Sequence, residues 1–440
     1  ARLLWGPQAA GPFFYAWMAT KGAGMTSVTG EHTQNVNGRR RARDWTRWLP
    51  LAAVLAAAWP VAAQLQLQGG GRTLVFALAL GLLLGLVLQR SRFCFYCHAR
   101  DWFEFGDPRG VLSILLALAV GSAGMTVVLG SWVAVPQPGQ LPPDMHIGPV
   151  SWVLVLAGLA FGAGMSVSGS CISAHWYRLG EGSPVAPFAL VGTGLGFVLG
   201  FRSWNPLYSL AIADAPVIWL PAHLGYGGAL ALQLAVLGLL AAWVWRIHGR
   251  SGRAQPRPAA ELAQPPGLRQ LWLSLWQGRW SAALGGLAVG LIAAAAIVRM
   301  RPLGVTTTLG STVRGWAQAG GWVPERLHGL DTLGGCATAV LNSLLTPHAV
   351  LLLGLVAGAW GAAVASRQWT PRRPTWRDAA RGLAGGALLG WGAMTGLGCT
   401  IGTLLSGSMA GALSGWVFGA AVFTALWAGF VLRRWQASRD

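Results

Sequence analysis

Gly162-Ala-Gly-Met-Ser-Val-Ser-Gly-Ser-Cys171 can be laid over Gly390-Trp-Gly-Ala-Met-Thr-Gly-Leu-Gly-Cys399: both place glycine nine and seven residues before a cysteine, at the end of a long apolar run. A looser pair comes earlier in each half. Gly81-Leu-Leu-Leu-Gly85-Leu leads to Gln89 and Cys94, and Gly286-Leu-Ala-Val-Gly290-Leu leads to Arg301 and Gly304. Self-similarity in a fixed order marks a chain built from two related halves. Glycine at such spacing lets helices pack closely, and beside Cys171 and Cys399 it predicts that the helices break.

Around these stretches, 54% of the 440 residues are apolar and only 10% are charged. Soluble domains carry about 25% charged residues, so this chain has too few to solvate a globular surface. It reads as an all-α integral membrane protein. The 63 glycines are about twice the usual share, as membrane helices favour. The net charge of +19 rests almost wholly on arginine. Those arginines cluster between apolar runs, the pattern of cytoplasmic loops, and no basic-aromatic module for nucleic acid accompanies them.

Runs of about 20 apolar residues span a bilayer, and ten candidates occur, at 48–65, 73–89, 111–135, 149–168, 185–201, 225–245, 281–298, 349–366, 380–398 and 411–432. The arginine-rich segments 39–47, 246–279, 367–381 and 433–439 are separated by even numbers of spans, so all can face the cytoplasm, with both termini there. Segments 136–149 and 203–224, on the other side by this count, hold no Lys or Arg. The same count puts 299–348 outside despite four arginines, and its glycines suggest half-helices folded back into the protein. The organisation expected is an N-terminal cytoplasmic segment 1–47 (1–24 reading as an extension ahead of a start at Met25), a membrane half 48–245, a cytoplasmic linker 246–280, a second membrane half 281–432 and a tail 433–440. The helix before Cys171 then runs inward and the one before Cys399 outward, so the halves are inverted, the plan by which transporters build a midplane site from broken helices.

Five cysteines, an odd number without the spacing of a secreted framework, read as reduced thiols. Cys94-Phe-Tyr-Cys97-His98 satisfies the C-x-x-C-H haem spacing, but the count puts it on the cytoplasmic side, where that attachment does not occur. Zinc would need two further ligands in reach. A dithiol redox role for Cys94 and Cys97 remains as an alternative to transport. No phosphate-binding G-x-x-x-x-G-K-[ST] loop occurs, and no cofactor, metal or enzymatic activity is expected.

Three stretches together, Gln89-Arg-Ser-Arg-Phe-Cys94 with Arg100-Asp101, Gly162 to Cys171 followed by Arg178-Leu-Gly-Glu-Gly-Ser183, and Gly396-Leu-Gly-Cys399-Thr-Ile-Gly, resemble the YeeE/YedE family of sulfur-compound transporters over roughly 73–432. The resemblance implies an inverted-repeat permease of the bacterial inner membrane that takes up thiosulfate. It implies Cys94, Cys171 and Cys399 as pathway thiols, and a small cytoplasmic sulfur carrier of the TusA/YeeD type as partner. Gln89, Arg92, Cys97, Arg100, Glu181 and Cys336 are secondary candidates. Cys97 is an additional thiol in the first motif, the region around Cys336 matches less clearly, and the leading span and long linker are additions. A permease for another sulfur or selenium compound is the alternative. A neutral thiol, as a weak donor, can hold a soft anion and still release it.

Overall fold

In the computed structural model, residues 49–250, 278–330, 333, 335 and 345–438 are described. They are helical, with two isolated β-bridges, Pro149 with Val217 and Trp219 with Ala412. The helices are α1 (Leu49–Gln66), α2 (Gly71–Ser91), α3 (Phe95–Phe105), α4 (Arg109–Trp132), α5 (Trp152–Ser168), α6 (Ile172–Gly180), α7 (Ala186–Leu207), α8 (Leu220–Arg250), α9 (Ala282–Arg299), α10 (Thr307–Ala319), α11 (Pro347–Ala365), α12 (Trp376–Thr395) and α13 (Leu413–Ala437). Two π-helical segments, Tyr208–Ile212 and Thr400–Gly407, follow α7 and α12.

Eight helices are long and apolar enough to cross a bilayer, and α12 with the Thr400–Gly407 segment, bent by 40°, raises the number to nine among the described residues. Ten spans were expected. The difference is the first, 48–65: its apolar helical stretch, Ala52–Gln66, is too short to count as a span. The break after α2 falls within one long apolar element, Gly71–Phe105, and that after α5 within another, Trp152–Gly180.

Long and short helices alternate in one order twice over. The series α2-α3-α4, α5-α6-α7 is matched by α9-α10-α11, α12-π-α13. The packing follows the same exchange. Helix α2 lies on α11 as α9 lies on α4, and α5 lies on α13 as α12 lies on α7, while α2 meets α9 and α5 meets α12 across the centre.

Glycine makes these contacts possible. A methyl group on Gly81 or Gly85 would overlap the carbonyl oxygens of Leu351 or Leu355 on α11, and one on Gly286 would overlap that of Ser113 on α4. Gly192 and Gly196 press on α12, and Gly386 and Gly390 press back on α7. Gly164 faces Gly385, and Gly392 faces Ala157. Such backbone contact yields the dispersion packing that holds helices together where lipid supplies no hydrophobic drive. The GxG pairs before Cys171 and Cys399 therefore serve helix packing, and the helix breaks lie nearer the cysteines.

Among the described residues, the loop contacts sort into two sets. One holds Gly278 bonded by Arg90, Tyr96 by Arg433 (3.0 Å), the Val167 carbonyl by Arg381 (3.2 Å) and the Glu181 carbonyl by the Thr370 amide (3.2 Å). The other joins Asp144 to Arg301 (3.1 Å), Trp204 to the His328 carbonyl (2.9 Å) and Leu220 to the Gly411 carbonyl (2.9 Å). From α4 onward the long helices run between these two sets.

Candidate functional site: the cysteine joints

The same joint occurs at three cysteines. Two residues before each, the backbone turns left-handed: Arg92 has φ 53°, Gly169 φ 80° and Leu397 φ 58°. Each cysteine is then extended and caps the next helix, Cys94 opening α3, Cys171 opening α6 and Cys399 opening the π-helical segment. Only glycine adopts positive φ without penalty, so the joints at Arg92 and Leu397 are held by their surroundings. The fourth equivalent position, before α10, has no left-handed residue between Met300 and Thr306 and carries no cysteine.

Two joints meet. Cys94 and Cys171 are fully buried, and their sulfurs lie 3.8 Å apart. The Ser170 hydroxyl stands 3.9 Å from Cys94 Sγ and the Ser173 hydroxyl 3.2 Å from Cys171 Sγ. Cys97, one turn along α3, accepts a hydrogen bond from Arg178 Nη2 at 3.1 Å, and Arg178 Nη1 donates to the Gly169 carbonyl at 3.2 Å. His98, last in the C-x-x-C-H run, is packed edge-on against Phe93 and fills the space over Gly110.

A polar network closes off the ends of α2 and α6. Gln89 Nε2 donates to Glu181 Oε1 (3.3 Å) and to Gln368 Oε1 (3.0 Å), Arg92 donates to the same Gln368 oxygen (3.2 Å), and Arg92 lies 3.8 Å from the Glu181 carboxylate. Burial pushes the Glu181 carboxyl above its usual range, opposed by Arg92 and Arg178.

Cys399 lies with the other set of loops. His146 stands beside it and reaches the Gly402 backbone, its imidazole driven below the usual value by burial. A cavity next to it is lined by His146, Leu154, Trp204, Leu397, Thr403 and Ser414, among others. The short helix after Cys171 packs on the π-helical segment after Cys399, so the joints from opposite ends meet inside the bundle.

Of the expected site residues, the structure brings together Cys94, Cys171 and Cys97, and beside them Gln89, Arg92 and Glu181. Arg100 lies one turn along α3 from Cys97, close enough to interact with it electrostatically, but its guanidinium pairs with Asp101 (2.8 Å) and is 40% exposed. Cys336 lies outside the described residues. Three contributors went unremarked as site residues in the sequence. Arg178 could have been found inside its quoted motif, about two helical turns beyond Cys171, whereas Gln368 and His146 sit in loops with no local signal.

Buried thiols at helix N-termini, within a bundle of membrane-spanning helices broken at matching places, define a multi-pass membrane transporter. The chain belongs to the sulphur transport family, whose profile matches residues 90–428. It is similar to the thiosulfate transporter TsuA of Spirochaeta thermophila, 29% identical over 371 residues covering 81% of this chain and 96% of that protein. It is also similar to TsuA of Escherichia coli, 25% identical over 77% of this chain and 88% of that one. The probable transporter YedE of Escherichia coli matches over a smaller part, 29% identical across 42% of this chain and 44% of its own length.

Proposed function

We propose that this protein carries thiosulfate inward across the bacterial inner membrane, passing it between thiols by S–H hydrogen bonds. Cys399 receives the anion at the outer end, and the Cys94–Cys171 pair takes it on the cytoplasmic side. The observation that carries this reading is the buried pair of sulfurs 3.8 Å apart, each at the start of a helix. Helix N-termini carry partial positive charge, which offsets the cost of bringing an anion to membrane depth. Thiols kept neutral add weak donors without repelling it. Similarity to two thiosulfate transporters supports the choice of substrate.

The halves 48–245 and 281–432 act as inverted repeats around the pathway, joined by a cytoplasmic linker at 246–280, with both termini in the cytoplasm. The exchange symmetry of helix contacts supports the repeat, and the even spacing of the arginine clusters 246–279, 367–381 and 433–439 supports the linker and the C-terminal tail lying on one side; the N-terminus rests on the basic run 39–47 alone. A cytoplasmic sulfur carrier of the TusA/YeeD type would receive the product beside the Gln89–Arg92–Glu181 network.

Uptake of labelled thiosulfate into liposomes holding the purified protein tests the reading. Single Cys94→Ala, Cys171→Ala and Cys399→Ala changes are expected to reduce it about tenfold or more, the scale of losing a transition-state contact. Undiminished uptake in all three would sink the relay, and uptake of another sulfur compound with none of thiosulfate would reassign the substrate.

A further inference from the structure

Arg178 sits in the cysteine cluster with Glu181 as its neighbouring carboxylate, beyond ion-pair distance. Its guanidinium donates to the Cys97 sulfur and the Gly169 carbonyl, and among the described residues it makes no ion pair. A guanidinium offers five N–H donors in a planar fork, so these two bonds and the neighbouring Tyr177 hydroxyl do not use them all. One helical turn beyond Cys171, His175 is 1% exposed, and neither of its ring nitrogens has a hydrogen-bond partner. Its charged neighbours are Arg178 and, when ionised, Cys94. The wall of the thiol pair thus carries a cation and an unmatched imidazole.

We propose that Arg178 and His175 form an oxoanion subsite, holding the oxygen end of the substrate while its terminal sulfur rests between Cys94 and Cys171. The guanidinium fork matches two oxygens of a sulfonate group as it matches those of a carboxylate or phosphate. The polarizable thiols suit a soft terminal atom. This rests on the transport of thiosulfate and adds the rule of selection: an anion needs both oxygens and a terminal sulfur. Sulfate lacks the soft end and hydrogen sulfide lacks the oxygens. Cys97 is the resting partner of Arg178, replaced when the anion binds.

The test uses the full chain in liposomes. Arg178→Gln is expected to raise the half-saturating thiosulfate concentration about tenfold, as loss of a charge-assisted hydrogen bond does, without lowering the melting temperature. Arg178→Lys, which keeps the charge but not the fork, is expected to show a smaller rise. In the unaltered protein, thiosulfate should slow alkylation of Cys97, read by mass spectrometry, and sulfate at equal concentration should slow it less. An unchanged half-saturation in Arg178→Gln, or no protection of Cys97 by thiosulfate, overturns the subsite; the second measurement stands even if the variant does not fold. Uptake with Cys97 unprotected defeats the subsite alone, whereas absence of any thiosulfate uptake by the unaltered protein defeats the transport reading and the subsite with it.

Discussion

The sulfurs of Cys94 and Cys171 lie 3.8 Å apart across 77 positions of sequence. A disulfide bond is about 2.05 Å long, so the pair is close enough to be joined by a small movement and is unjoined at rest. Diamide, which takes up two hydrogens as two thiols become a disulfide, is expected to crosslink these residues and stop uptake, with dithiothreitol restoring it. Peptide mapping would identify the bond. Full uptake in a protein shown to be crosslinked there would remove the pair from the pathway.

At Gly169 the left-handed backbone is the only obstacle to a side chain, since a methyl there would meet nothing closer than Arg381 Nη2 at 3.9 Å. Gly169→Ala is therefore expected to cost about 1 kcal/mol, the penalty of that conformation. Thermal unfolding in detergent measures it, and no loss would mean that the joint relaxes.

Packing glycines should behave differently. Gly390→Ala drives a methyl into the Thr193 carbonyl, and overpacking of this kind costs about 1–3 kcal/mol. Gly238, with open space around its Cα, is the comparison, and Gly238→Ala should leave the melting temperature unchanged. Equal effects at the two sites would refute the packing role.

Glu181 gives a pH dependence with a definite sign. Its carboxyl is raised by burial, so the folded protein binds the proton more tightly than the unfolded chain, whose value is about 4.3. The contribution to stability is complete below that value and is lost as pH rises through the folded one. Glu181→Gln keeps an acceptor for Gln89 and removes the buried charge. Its melting temperature relative to the unaltered protein should be highest at neutral pH, and the advantage should shrink towards pH 4. An advantage that grows on acidification would reverse the assignment.

Much of this fold was legible because membrane spans are long and apolar, and because arginine marks one side of them. The expected runs 111–135, 281–298 and 349–366 correspond closely to α4, α9 and α11. The glycine patterns located the right helices, though their work is close packing, and the breaks beside Cys171 and Cys399 could be read where the one at Arg92 could not. Nothing in an arginine or leucine side chain announces a left-handed backbone, which tertiary packing imposes. The thiol pair was half legible: the cysteines stood out, but their meeting depends on how α3 and α6 come together. Gln368 was hidden for the same reason, lying in a segment whose arginines spoke only of topology.

Arg178 also bears on how the chain is made. A cation on a membrane helix is costly in lipid, and one group that receives it, Cys97, lies 81 residues earlier. Synthesis runs from the N-terminus, so α3 leaves the ribosome well before α6. The receiving thiol can already be in the bilayer when the charge arrives, and the order of the helices along the gene doubles as an order of insertion.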